Sequence, residues 1–173
     1  MPATAALAGH QDNRQGYPLT EAAMGIFGVD IHPRFQAGIS IEEIRREGVD
    51  FMAVKVSEGT DQSYLALGSG DFLRRGRTAG LLCLGYHYLH PGDEDVQAKV
   101  FTEALSSSGV PGLLDAEALA ADGQTPTLSV AGIHSFVDAC TRLGARVPLL
   151  YLPRWYWDRL GRPALAGLPP LWG

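Results

Sequence analysis

Short apolar runs alternate along the chain with amphipathic stretches of helical period, and the alternation holds from Phe27 onward. Phe27-Gly28-Val29-Asp30-Ile31 predicts a strand carrying one acid. Ser40-Ile41-Glu42-Glu43 has capping-box spacing, with Ser40 as the cap and Glu43 reaching back; the helix it opens stops at Gly48. Phe51 to Val56 predicts a second strand that runs into Ser57-Glu58-Gly59-Thr60. A helix over about Asp71 to Thr78 ends at Gly80, and Leu81 to Tyr88 forms a third strand. Asp93 stands where a cap is wanted, ahead of an inner face of Val96, Val100, Phe101, Ala104 and Leu105. Leu113 to Glu117 is a fourth strand. Val130, Ile133, Val137 and Cys140 line a helix that stops at Gly144. Val147 to Tyr151 is a fifth strand, Arg154 to Leu160 a short helix, and Leu168 to Trp172 opens as a sixth strand.

Strand and helix in alternation make βαβ units, and hence a parallel sheet. A doubly wound open sheet and a TIM-type (β/α) barrel both suit that order. The acids favour the barrel. Asp30, Glu58, Asp115 and Glu117 lie in or just after strands, toward the C-terminal ends where a barrel gathers its functional groups. No Gly-x-Gly-x-x-Gly follows the first strand, and no Walker-type phosphate loop occurs. The expected fold is therefore α/β, a TIM-type barrel. Residues 1 to 24 mix Ala, Gly and polar residues without periodicity and are expected to form a flexible arm ahead of a barrel domain over residues 25–173.

Composition narrows the function classes. At 173 residues the chain is one domain by length, with 46% hydrophobic and 19% charged residues, as in an ordinary globular protein. A formal charge of −5 without a basic block argues against nucleic acid and against docking on anionic membranes. No apolar run has transmembrane length, and no basic start followed by an apolar stretch marks a Sec signal. Cys83 and Cys140 each sit in an apolar periodic segment and are expected as buried thiols, with no disulfide framework and no metal-ligand spacing.

The chemistry concentrates in Gly112-Leu113-Leu114-Asp115-Ala116-Glu117. On a strand, residues i and i+2 face the same way, so Asp115 and Glu117 would stand side by side. Neighbouring carboxylates oppose each other's ionisation, which helps keep one protonated while the other is charged, as cleavage of a glycosidic bond requires. The plainer reading is a helix N-terminus with Asp115 as cap, and the dipeptide pattern alone favours it. Lys55 lies within an apolar strand, where a salt bridge to a cleft or core carboxylate outweighs a catalytic role. Tyr86 and Tyr88 share one face and His87 takes the other; the tyrosines suit sugar stacking or core packing equally. His87 reads as a hydrogen-bonded structural histidine. Of Trp155, Tyr156 and Trp157, at least one is expected to face the cleft.

The order of these segments resembles glycoside hydrolase family 25, the barrel-fold muramidases called Chalaropsis-type lysozymes. The matching pieces are Gly28-Val29-Asp30, Gly48-Val49-Asp50-Phe51 running into Lys55-Val56-Ser57-Glu58-Gly59-Thr60, Ala79-Gly80-Leu81 running into Gly85-Tyr86-His87-Tyr88, Gln97-Ala98 with Phe101, Leu114-Asp115-Ala116-Glu117, and Pro148-Leu149-Leu150-Tyr151 with Trp155. Leu171-Trp172 is similar to the start of a late Leu-Trp strand. The resemblance spans about residues 27 to 173. It implies hydrolysis of the β-1,4 bond between N-acetylmuramic acid and N-acetylglucosamine in bacterial peptidoglycan, without metal or organic cofactor. By position it implies Glu117 as general acid, Asp115 as the partner that holds the acetamido group or stabilises developing oxocarbenium charge, and Asp30 as a third acid of the cleft floor. Glu58, Tyr86, Tyr88, Tyr151 and Trp155 are the substrate-binding candidates. Enzyme nucleophile and substrate-assisted routes both stay open.

The family pattern continues past its Leu-Trp strand, so roughly the last two of eight β/α units are missing from this sequence. Three readings follow: a fragment of a longer protein, a gap closed by a partner chain or dimer, or a poor folder. A muramidase acting on the wall outside the cell leads the functional readings, with release of the phage-endolysin kind as one context. An inactive, truncated lysozyme-like module that binds wall or another chain comes second. A doubly wound phospho-acceptor or Mg²⁺-dependent phosphatase using Asp30, Asp115 and Lys55 comes third.

Overall fold

Six strands pair in chain order and every pairing is parallel. The computed structural model describes residues 26–172; the expected arm over residues 1–24 lies outside them. The elements are β1 (Gly28–Ile31), α1 (Ile41–Arg46), β2 (Phe51–Glu58), α2 (Ser69–Thr78), β3 (Leu82–Tyr88), α3 (Glu94–Ser108), β4 (Gly112–Asp115), α4 (Val130–Arg142), β5 (Leu149–Tyr151), α5 (Arg154–Arg159) and β6 (Leu171–Trp172).

Alternation along each strand sorts side chains into two apolar groups. Ile31, Met52, Val54, Val56, Leu114 and Leu150 lie in the larger core with the helix residues Leu73, Phe101, Ile133 and Phe136. Phe51, Ala53, Leu84, Tyr86 and Leu113 form a smaller cluster on the opposite face, joined by Leu149, Tyr151 and Trp172. Phe51 on β2 and Trp172 on β6 meet edge to face with ring centres 5.3 Å apart, although three strands lie between them. On a flat sheet the same positions would be about 19 Å apart, from four strand spacings. The sheet is therefore curled, a half-barrel with helices outside, consistent with an incomplete α/β barrel. Among the described residues β1 and β6 pair on one side only.

The helices lie close on the sheet where glycine makes room. A Cβ at Gly112 would come within 2.7 Å of the Phe101 ring, and one at Gly85 within 2.9 Å of Leu105. Both glycines let α3 seat its apolar side on β3 and β4.

Several local expectations are corrected. Ser40 caps α1, accepting from the Glu43 N–H at 3.2 Å, but Glu43 turns outward to Arg46 at 3.8 Å instead of reaching back. Asp93 precedes α3 in a left-handed conformation (φ 55°), and its side chain makes no capping bond. Val96 is exposed and Gln97 is buried. Gln97 turns inward because its amide ties down the preceding loop: it accepts from the His90 N–H at 3.0 Å and donates to the His90 carbonyl at 2.9 Å. The fourth strand ends at Asp115, two residues before Glu117. Leu89 N–H still donates to the Asp115 carbonyl and Ala116 N–H to the Tyr151 carbonyl, but Glu117 lies beyond the ladder.

Both cysteines are free and buried. His87 is fully buried on the helix side, opposite Tyr86. Gln97 Oε1 accepts from His87 Nε2 at 3.3 Å, which leaves Nδ1 to accept from the Ser57 hydroxyl at 2.9 Å.

Candidate active site

The curl of the sheet places carboxylates from the first and fourth strands around one hollow of about 300 Å³, lined by Asp30, Tyr86, Leu113, Asp115, Glu117, Tyr151 and Trp172. Asp30 comes from β1, in register with Ala53, and is exposed to the opening. Asp115 is the last residue of β4, between Tyr88 and Tyr151 in register. Glu117 follows on the segment leaving the sheet. Tyr86 lies between Lys55 and Leu113 in register, and Tyr151 between Asp115 and Trp172. The walls are therefore acidic on the β1 and β4 sides and aromatic below.

The hollow raises the cost of ionising Asp115 and Glu117. Burial pushes Asp115 up to about 8, with the Glu117 charge next; Lys55 opposes this, and Asp30 and Glu58 add to it. Its Oδ1 is buried with no hydrogen-bond partner. Glu117 is also raised, first by burial and then by Asp30. Near neutral pH the Asp115–Glu117 pair therefore keeps a proton, and in the open hollow it rests mainly on Asp115. The tyrosines stay un-ionised: burial, then Asp30 and Asp115, raise Tyr86, while burial with Asp115 and Glu117 takes Tyr88 up to about 12.

Not every anticipated residue lines the hollow. Glu58 ends β2 in a neighbouring polar depression of about 470 Å³ with Arg34, Asp61, Tyr64 and His90. Its carboxylate accepts from Lys55 Nζ at 2.6 Å, Tyr64 Oη at 2.6 Å and His90 Nε2 at 3.0 Å. Burial opposes its ionisation, but these three bonds outweigh burial and hold it at about 2. The salt bridge anticipated for Lys55 is this one. Tyr88 is half-buried, its ring 4.8 Å from the Lys55 ammonium and edge-on to His90. Trp155 stands on α5 against Tyr156, its ring 5.0 Å from the Arg159 guanidinium, away from the hollow. Tyr156 is buried and donates to the Ala118 carbonyl at 2.7 Å, and Trp157 Nε1 donates to the Pro163 carbonyl at 2.9 Å. None of the three aromatics faces the hollow. Its tryptophan is Trp172, whose sequence position marks only a strand; its register with Tyr151 identifies it. Among the described residues no group of three or more His, Cys, Asp or Glu is arranged to hold a metal ion.

A sequence profile of the Glycosyl hydrolases family 25 matches residues 29–172. A family 25 lysozyme from Aspergillus fumigatus is similar in structure, with a TM-score of 0.67 and 26% identity over 84% of this chain and 73% of that one. A muramidase from Trichobolus zukalii has a TM-score of 0.63 and 25% identity over 83% of this chain and 74% of its own. The autolytic lysozyme of Clostridium acetobutylicum is 25% identical over 136 residues, 77% of this chain; the chain spans 40% of that relative's length. With nearly all of the described residues covered by the profile and the half-barrel shared with these structures, the chain belongs to glycosyl hydrolase family 25.

Proposed function

We propose that the chain is the catalytic portion of a peptidoglycan muramidase, cleaving the β-1,4 bond between N-acetylmuramic acid and N-acetylglucosamine. The observation that carries this is the meeting of Asp30, Asp115 and Glu117 in one aromatic-walled hollow. Glu117 is the general acid that protonates the leaving oxygen. The proton on the coupled pair is sufficient for this: when it moves to Glu117, Asp115 becomes the carboxylate facing the acetamido N–H and the developing positive charge. The sugar's own N-acetyl oxygen is well placed by that contact to act as nucleophile, which makes a substrate-assisted route the favoured form. Asp30 supplies a third negative wall and raises Glu117, keeping it protonatable. Tyr86, Tyr151 and Trp172 offer ring faces to the sugars. The natural substrate places the reaction at the bacterial wall. Among the described residues no helix is long and apolar enough to cross a membrane.

The test is turbidity loss of purified bacterial walls, with release of reducing sugar ends. The parent chain should clear the suspension, and Glu117→Gln should lose about 10²–10⁴-fold in rate with an unchanged circular dichroism spectrum. Retained activity in that variant would overturn the assignment. A second reading, a wall-binding module without turnover, draws on the one-sided pairing of β1 and β6. It predicts co-sedimentation with walls and no new reducing ends from the folded parent.

A further inference from the structure

The lining of the hollow carries three acids and no cation, yet a buried cation stands immediately behind it. Lys55 lies on β2 in the same facing row as Phe51 and Ala53, its side chain only 8% exposed. Its ammonium is 4.8 Å from the centre of the Tyr88 ring, 5.1 Å from that of Tyr64 and 5.9 Å from that of Tyr86. Tyr88 is the register partner of Asp115, and Tyr86 is a wall of the hollow. One strand, β3, therefore separates the ammonium from the acid pair, and its Tyr86 and Tyr88 rings border the ammonium on that side. A charge acts much further through protein than through solvent.

Burying a lysine in an apolar strand is costly, and a core ion pair by itself stabilises little. Glu58 has two other donors, Tyr64 and His90. The Glu58 pair holds the ammonium in place, and one strand away lies an acid with a buried, unpartnered oxygen, Asp115 Oδ1.

We propose that Lys55, anchored by Glu58, is a positioning residue for the acid pair: acting across the Tyr86 and Tyr88 rings, its ammonium keeps Asp115 able to ionise, so that the pair holds one proton rather than two. The groups facing Asp115 set the balance. Asp30 from β1, Glu58 from β2 and Glu117 beyond β4 oppose its ionisation, and Lys55 from β2 favours it. Tyr86 and Tyr88 from β3 and Tyr151 from β5 border it as neutral phenols. His32 and His90 lie further off, on the Lys55–Glu58 side, where His32 packs against Tyr64. Glu58 both holds the ammonium and partly cancels its charge, so the two residues should act on Asp115 with opposite sign.

The experiment follows the ¹³C carboxyl resonance of Asp115 through a pH titration, assigned by its loss in Asp115→Asn. In folded Lys55→Met the Asp115 midpoint should rise by roughly half a pH unit to one pH unit. Lys55→Arg should restore the parent midpoint, and Glu58→Gln should lower it. An unmoved midpoint in Lys55→Met, or movement in the same direction in Lys55→Met and Glu58→Gln, would overturn the proposal. If Lys55→Met does not fold, Lys55→Gln takes its place, a rise of the Asp115 midpoint supporting the proposal and an unmoved midpoint refuting it. Only the companion readout rests on the muramidase reading: the pH profile of wall clearance should shift with the resonance midpoint. Shifted resonances without wall clearance by the parent would refute that reading and leave the role of Lys55 standing.

Discussion

Phe51 and Trp172 touch edge to face at 5.3 Å across the concave side of the sheet, linking β2 to β6 over three intervening strands. Trp172 also lines the hollow and packs beside Tyr151 with ring centres 5.8 Å apart. Trp172→Ala should cost about 1–3 kcal/mol, less than a fully buried aromatic because the side chain is half-exposed. Urea denaturation measures the loss. The same variant removes one ring face from the hollow, so binding of a chitooligosaccharide, followed by tyrosine and tryptophan fluorescence, should weaken together with stability.

The acid pair ties stability to pH in an unusual direction. Asp115 is raised from its ordinary 3.8 to about 8 in the folded chain, so between those values the folded state holds a proton that the unfolded state releases. Its contribution to stability is therefore full below about pH 4 and is lost as pH rises through about 8. Asp115→Asn should remove that decline and raise the melting temperature at pH 8 by about 2–4 °C, while wall clearance falls. Melting curves at pH 5 and pH 8 test it: a loss of stability at both values would refute the burial argument.

His87 contributes with the opposite slope. Burial, against the pull of its Gln97 bond, holds it neutral down to about pH 3, below its ordinary 6.5. Stability from this neutral histidine is full above pH 6.5 and erodes as pH falls toward 3. The ring also stacks on Phe136 at 4.9 Å between centres. His87→Ala should cost about 2–4 kcal/mol at pH 7 through lost packing and stranded Ser57 and Gln97 groups. It should also flatten the acid limb of the stability curve. Denaturant unfolding at pH 7 and pH 4.5 compares the two.

The strand–helix order, the Ser40 cap and the stops at Gly48, Gly80 and Gly144 all follow from local rules, and the structure has them where the periodicity puts them. Inward and outward sides of β2 and β3 are equally local, because alternation sends His87 to the helices and Tyr86 to the hollow whatever else the chain does. The Asp115 and Glu117 acids are linked by a two-residue spacing that needs nothing beyond the local chain. Their surroundings are not local. Glu58 ends its strand as Asp115 does, yet Tyr64 from the next turn and His90 from beyond β3 bind its carboxylate, drawing it to a neighbouring depression. Trp155 and Trp172 are both aromatic residues after or within a late strand. Helix α5 turns the first toward Arg159, and the strand register turns the second toward Tyr151.

Sequence alone determined which residues form elements, which face each presents, and which acids lie toward strand ends, since these depend on neighbours only a few positions away. Tertiary structure decided that Asp30 from the first strand shares a hollow with Asp115 and Glu117, and that β3 alone separates Lys55 from that pair. Those distances depend on how strongly successive strands twist and curl. That is a sum over the whole sheet and its packed helices, and no short stretch of chain encodes it.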